Sequence, residues 1–352
     1  MSESSPAAYP ETAMSEAEAR VGRLVELMRG FRATQAVYVV AKLGLADRLA
    51  ASQATAQEVA AAVGAHPDSL RRVMRLASFY GLFDEIPDGR FELTPLGRLL
   101  LSSAPNSVRP LAIMVGESQY AAWGALLHSV RTGTPAFEHV NGAPFFDFMA
   151  AHLDLQAIFD AAMSVGVNSS NSRLADALDF SGMRLLIDVG GGNGSQAAVV
   201  LQTHTHMRAV IYDQAHVLEA ADQYLRAAGV RERCDLVPGS FFESVPAGGD
   251  VYLLSNIVHD WDDDRAQRIL RNCRSAMKPE GAVLLVETVL GEHGRPSPAN
   301  LADVNMLVLL PGRERTESEF RSLLAGADLH LTSVTELSWD RESALEARPS
   351  LS

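Results

Sequence analysis

His259, Glu287 and Glu314 are the residues of this sequence best suited to moving a proton. An imidazole titrates near neutrality, and acids beside it orient the ring and favour its cation. His259 follows the apolar run 251–257, Glu287 closes the run 283–287, and Glu314 sits in Gly312-Arg313-Glu314-Arg315-Thr316. Together they imply a general base that takes a proton from a bound group. A histidine that merely satisfies backbone at a strand end is the commoner case. Here two acids and a glycine loop are delivered to the same end of the fold, which reverses the odds.

The glycine loop is Asp188-Val189-Gly190-Gly191-Gly192-Asn193-Gly194-Ser195. Glycines between a strand and a helix let backbone approach a ligand closely and turn helix N–H groups toward it. Residues 192–197 fit the G-x-G-x-x-G/A pattern, and Asp213 ends the next apolar run, where a carboxylate accepts from ribose hydroxyls. These features describe an adenosine site without separating a nicotinamide cofactor from an adenosyl one. The acid run Asp260-Trp261-Asp262-Asp263-Asp264 has the composition of a divalent-cation site, but a helix start with Asp262 or Asp263 as N-cap accounts for it better. His204 and His206 read as a solvated turn.

Positioning these residues requires a sheet. Apolar runs at 185–189, 209–212, 234–237, 251–257 and 282–286 alternate with helix-like segments, the pattern of a doubly wound parallel α/β sheet. Such a sheet binds its ligand outside the carboxyl ends of its strands. Upstream, 15–49 has helical spacing. A helix over 55–64, a turn at His66-Pro67-Asp68, a helix over 69–80 and a hairpin about Pro87-Asp88-Gly89 then make a winged-helix-like module. Residues 55–110 carry six basic and six acidic side chains, so the module offers phosphate no net counter-charge and reads as a packing domain. The expected organisation is a mobile tail over 1–14, the winged-helix-like module over 15–110, a helical bridge over 111–180 and an α/β domain over 181–352.

The 352 residues, 47% hydrophobic and 21% charged, exclude wholesale disorder, and a net charge of −13 argues against coating nucleic acid or an anionic membrane. No run of 18 apolar residues and no export signal occurs, so no membrane partner is expected. Two distant cysteines, Cys234 and Cys273, make neither a disulfide framework nor a cysteine-rich zinc site and fit a reducing cytoplasm.

At the Asp-Val-Gly-Gly-Gly-x-Gly loop, the His259-Asp260-Trp261 triplet and the Glu314-Arg315-Thr316 element, the chain resembles the S-adenosylmethionine-dependent O-methyltransferases of plant caffeate and of actinobacterial polyketide and antibiotic type. The resemblance covers nearly the whole chain. It implies a Rossmann-like methyltransferase sheet, an N-terminal dimerisation domain, a homodimer, a phenolic or polyketide-like substrate, S-adenosylhomocysteine as product and no metal. Carried onto this sequence, it implies that Asp188, Gly190, Gly191 and Gly192 cradle the methionine side and that Asp213 with Gln214 holds the ribose. Ser240 and Phe241 then flank the adenine, with Trp261 nearby, and Ser255 lies near the cofactor. His259 becomes the base and Glu287 and Glu314 its brackets. Met163, Phe145, Phe148, Asn256, Asp260, Asn305 and Met306 become the substrate wall. The family usually has Asp at position 240 and Lys at position 255, so two charged contacts become neutral here. Two other readings keep the residues and change the outcome: a methyltransferase-like enzyme using the cofactor as a scaffold for hydroxylation, decarboxylation or pericyclic chemistry, and a winged-helix regulator that senses a metabolite.

Overall fold

The computed structural model describes residues 16–104, 106–163, 174–291, 296–337 and 342–350. The expected tail over 1–14 lies outside them. The chain divides into two compact units, Met1–Gly116 and Glu117–Ser352.

In the first unit a long helix, Glu16–Lys42, is followed by helices Leu45–Ala51, Ala56–Val63 and Pro67–Phe79 and by a small antiparallel sheet. Its strands are β1 (Ala54–Thr55), β2 (Phe83–Ile86) and β3 (Arg90–Leu93), in the order β1-β3-β2. Local chemistry sets the boundaries. Thr55 and Glu58 form a reciprocal capping box, and the His66 side chain accepts from Ser69 N with Pro67 in the first turn. Asp88 and Gly89 take left-handed φ at the hairpin turn. Leu45, Val59, Leu70, Met74, Phe83 and Phe91 fill the core. On the long helix Val21, Leu24, Leu27, Met28 and Phe31 stay more than half exposed, an apolar stripe at helical spacing.

The second unit begins with helices Tyr120–Gly124, Leu126–Thr132, Ala136–Asn141, Phe145–Ala151 and Leu153–Met163 and continues into the main sheet. Five strands run parallel: β4 (Leu185–Val189) pairs with β5 (Arg208–Asp213) and β7 (Val251–Ser255), β5 with β6 (Cys234–Pro238), and β7 with β8 (Ala282–Leu290). β9 (Arg315–Thr316) runs parallel to the end of β8. β10 (Leu329–Glu336) and β11 (Glu342–Pro349) close one edge antiparallel, in the order β10-β11-β8-β7-β4-β5-β6. From β4 the chain first builds outward through β5 and β6, then jumps to β7 on the other side of β4. The crevice at that switch point is where a doubly wound sheet takes its ligand. Separate apolar clusters pack each face of the sheet.

Two expected strand ends shift, and both shifts matter. β7 stops at Ser255 because Asn256 adopts φ 54°, which breaks the pleat. β8 runs on past Val286 to Leu290. His259 is therefore in a single 3-10 turn, Val258–Asp260, rather than at a strand end, and Glu287 lies within a strand rather than closing it.

Candidate active site

The overhang of β8 past β7 creates the first half of the site. Asn256 N still donates to Val286 O, and beyond it the chain turns off the ladder, so the Glu287 side chain becomes the acceptor: its Oε1 accepts from Ile257 N at 3.2 Å and Val258 N at 2.7 Å. The turn this anchors carries His259. The ring's Nδ1 lies 2.9 Å from Glu314 Oε1 and 3.6 Å from Glu287 Oε2, and its Nε2 lies 3.3 Å from Asp260 Oδ1. The structure thus brings His259, Glu287, Glu314 and Asp260 together. Glu314 is held in turn by its own backbone N–H, which donates to Asp303.

One buried imidazole among three carboxylates has predictable electrostatics. Burial pulls the ring's pKa down, but Glu287, Asp260 and Glu314 outweigh it and carry His259 up to about 10. Burial raises Asp260 and Glu287 to about 7 each, with Glu314 adding repulsion in both cases and His259 opposing the rise. The second oxygens of Glu287 and Glu314 are buried without a hydrogen-bond partner. Ligand atoms of His259, Glu287 and Glu314 lie within 4.8 Å of one another, a spacing a divalent cation can use. The proton on Nδ1, shared with Glu314, accounts for the same approach.

The glycine loop forms the second half. Gly190, Gly192 and Gly194 have φ of 70°, 55° and 77°, and a Cβ on Gly190 would stand 2.4 Å from the Ile257 side chain. The loop is stitched to β5 by Gly190 N donating to Tyr212 O. Asp213 accepts from Gly192 N at 2.9 Å and Gln214 N at 2.7 Å, and burial raises its pKa. Asp188 faces inward, where burial carries it to about 7 while the Ala197 N–H opposes the rise. It supports the loop and the helix Ser195–Thr203 from beneath, with one oxygen unpartnered. Gly239 N donates to Asp213 O, which brings Ser240 beside the loop.

Phe241 and Trp261 connect the two halves, joined by two residues that the sequence reading did not assign. Trp261 meets Phe242 edge-on at 4.7 Å and Phe241 at 6.2 Å, and Phe146 stacks on it at 5.9 Å. Phe145, the expected ligand contact, is 3% exposed and held edge-on by Phe137, Phe146 and Phe159, so its ring serves the core. Phe148 stacks on His152, and Met306 is buried in the same helical cluster. Asn305 accepts from the Trp123 indole at 3.0 Å. Asn256 and Met163 are exposed, and Ser255 is half-buried at the end of β7. In the acid run Asp262 caps the helix Asp263–Ala276 by accepting from Arg265 N, whereas Asp263 binds Arg313 and Arg315. His204 borders and His206 belongs to an exposed turn at 205–206, and each also contacts a carbonyl, of Ala175 and of Phe180.

Comparison with known proteins agrees with this geometry. Residues 123–330 match the O-methyltransferase domain family and residues 25–103 the O-methyltransferase dimerisation domain. A phenazine O-methyltransferase of Lysobacter antibioticus is 43% identical over 326 residues, covering 93% of this chain and 95% of that one. The solved structure of a mitomycin 7-O-methyltransferase superposes with a TM-score of 0.90 at 34% identity, covering 95% of this chain and 99% of that one. A phenazine-1-carboxylate N-methyltransferase of Pseudomonas aeruginosa is 32% identical over 326 residues, covering 92% and 96%.

Proposed function

The chain belongs to the S-adenosylmethionine-dependent O-methyltransferase family, and from that premise we propose that it methylates a hydroxyl of a phenolic or polyketide-like aromatic metabolite, with His259 as the base. The observation that carries this is the clamped ring: with Nδ1 committed to Glu314 at 2.9 Å, Nε2 is the nitrogen left to take a proton. The O-methyltransferases among the relatives act on phenazine and mitomycin compounds by name, which supports a polycyclic or aromatic acceptor.

The residues at the crevice fit the cofactor. A loop with three left-handed glycines, where a Cβ on Gly190 would press on the Ile257 side chain, presents bare backbone to the crevice. Asp213 keeps acceptor capacity beyond its two amide contacts, enough for a ribose diol. Gly190, Gly191, Gly192 and Gln214 line that side, Ser240, Phe241, Ser255 and Trp261 the adenine side, and Asp188 holds the loop in shape. When bound, S-adenosylmethionine supplies an activated methyl group on a sulfonium cation. The acids around His259 favour positive charge nearby, and the Phe146–Phe241–Phe242–Trp261 cluster excludes water. His259 Nε2, beside Asp260, would take the acceptor hydroxyl's proton, and the bound cofactor would supply the methyl group to that oxygen through cleavage of its carbon–sulfur bond, leaving S-adenosylhomocysteine. The imidazolium that results is stabilised by Glu314 and Glu287. Asn256, Asn305, Met306, Met163 and Phe148 would border the acceptor, with Phe146 in place of Phe145.

Methyl transfer is tested by incubating the protein with methyl-labelled S-adenosylmethionine and a panel of phenolic aromatics, with and without excess chelator. One labelled methyl per product, at the same rate in both conditions, is the expected result. A changed acceptor without label would reverse the reading, and loss of rate with chelator would reassign the His259 cluster to a metal.

Ser240→Asp is expected to tighten S-adenosylhomocysteine binding about fivefold, because a charged acceptor strengthens the adenine amino contact by roughly 1 kcal/mol. Calorimetry reads this directly, and an unchanged or weaker affinity would remove Ser240 from the adenine side. The first unit, carrying the dimerisation domain, would serve a homodimer through the stripe on its long helix. Two buried free thiols suit a cytoplasmic setting, and no helix among the described residues is long and apolar enough to cross a membrane.

A further inference from the structure

Arg315 is the largest fully buried side chain among the described residues, at 0% exposure, and its contacts converge on one short loop. Nη1 donates to Val258 O at 3.1 Å and to Arg313 O at 3.4 Å. Nη2 donates to Trp261 O at 2.9 Å, and Nη2 with Nε grips Asp263 Oδ1 at 2.8 and 3.1 Å. Val258 and Trp261 are the residues on either side of the His259–Asp260 pair. Next to Arg315 in the chain, Arg313 N donates to His259 O at 2.9 Å and Glu314 holds the ring. The segment 313–315, leading into β9, thereby fastens the backbone before, at and after the base while supplying its side-chain partner.

Burying a guanidinium costs free energy unless its donors are satisfied, and an apolar residue of similar size often stabilises a fold as well. What an apolar residue cannot do is fix three separated acceptors in one plane. A lysine, with one nitrogen on a flexible stem, cannot do so either. We propose that Arg315 is a positioning residue for the methyl-transfer step, holding the 258–263 loop so that His259 Nδ1 meets Glu314 and Nε2 faces the acceptor. This rests on His259 being the base.

The test uses Arg315→Lys and Asp263→Asn in the full-length enzyme, with His259→Ala as reference. The readouts are kcat, the acceptor KM, and the low-field proton resonance of the His259 Nδ1–H, identified by its absence from His259→Ala. Arg315→Lys is expected to lower kcat about 100-fold, since a shift of about 1 Å in a reacting group costs that much, with a far smaller change in KM. The Nδ1–H resonance should shift or broaden. Asp263→Asn keeps the three carbonyl contacts at a half-exposed site, so it reports even if Arg315→Lys fails to fold. Its expected effect is a kcat about fivefold lower with the same resonance moving, consistent with losing one charged partner worth roughly 1 kcal/mol. An unmoved resonance with kcat within about twofold of wild type in either folded variant would overturn the proposal. Full turnover by His259→Ala would instead overturn the base assignment, while the resonance would still report whether Arg315 holds the ring.

Discussion

His259→Ala should lose methyl transfer by about 10²- to 10⁴-fold, the range a positioned general base supplies, while S-adenosylhomocysteine still binds. Removal of the ring takes away the partner of Glu314 Oε1 and leaves three buried carboxylates, Glu287, Glu314 and Asp260, without the imidazole between them. Breaking a buried pair in this way costs about 3 kcal/mol or somewhat more. His259→Gln is the better control for folding, because its amide N–H still donates to a carboxylate and yet takes no proton at neutral pH. Turnover near wild type by the Gln variant, on a true acceptor, would falsify the base assignment. The pH dependence follows from the same contacts. The three acids hold the imidazole as its cation, with a pKa up to about 10, so the base form grows as pH rises toward that value and kcat should climb through the neutral and alkaline range. Glu314→Gln keeps an acceptor for Nδ1–H but removes a charge that favours the cation. Its rising limb should therefore move to lower pH. A phenolic acceptor also ionises near pH 10, but identically for both enzymes, so the displacement between the two profiles isolates the ring.

How far the sequence carries this argument depends on the range over which each signal acts. The glycine loop, Asp213, the His259 triplet and the five apolar runs were legible because strand–turn–helix punctuation is local. Thr55, His66 and Asp262 are caps for the same reason, each within three residues of the amide it satisfies. The length of β8 was not legible: whether Glu287 ends a strand or sits inside one depends on how far its neighbour β7 runs, and β7 ends at the left-handed Asn256. β10 and β11 went unassigned although the burial of Leu329 and Leu331 alternates with exposed neighbours, because the segment borders the sheet edge and carries many polar residues. Phe145 and Phe146 are indistinguishable as letters. Only the helix rotation sends one into the core and the other to Trp261. Arg315 was the least legible, because nothing in its neighbours Glu314 and Thr316 announces carbonyl acceptors more than fifty positions upstream.

Gly312 belongs to the same long-range class, and Gly312→Ala tests it most sharply. A Cβ there would stand 1.8 Å from His259 O, 2.4 Å from Asp260 C and 2.6 Å from Trp261 N. All three are backbone atoms, so no rotamer change can make room. Gly312 is not among the glycines with left-handed φ, so the substitution adds no strain of its own, and its whole effect comes through this contact. Either the His259–Asp260 peptide retreats or the 312–315 segment lifts away, and both movements separate the ring from Glu314. A displacement of about 1 Å at a reacting group costs on the order of 100-fold in rate, so kcat should fall by that much. Affinity for S-adenosylhomocysteine should change far less, because the glycine loop at 190–194 is not among the groups Gly312 touches. Gly182→Ala is the matching control: it too has ordinary φ, with nothing within 4 Å of its Cβ, and should leave both quantities unchanged. Wild-type kcat in Gly312→Ala would mean that the loop tolerates displacement, and the base would then not depend on the register that β9 imposes. Equal losses of rate and cofactor affinity would mean that the two halves of the crevice move as one body, with Trp261 and its aromatic neighbours transmitting the shift to the adenine side.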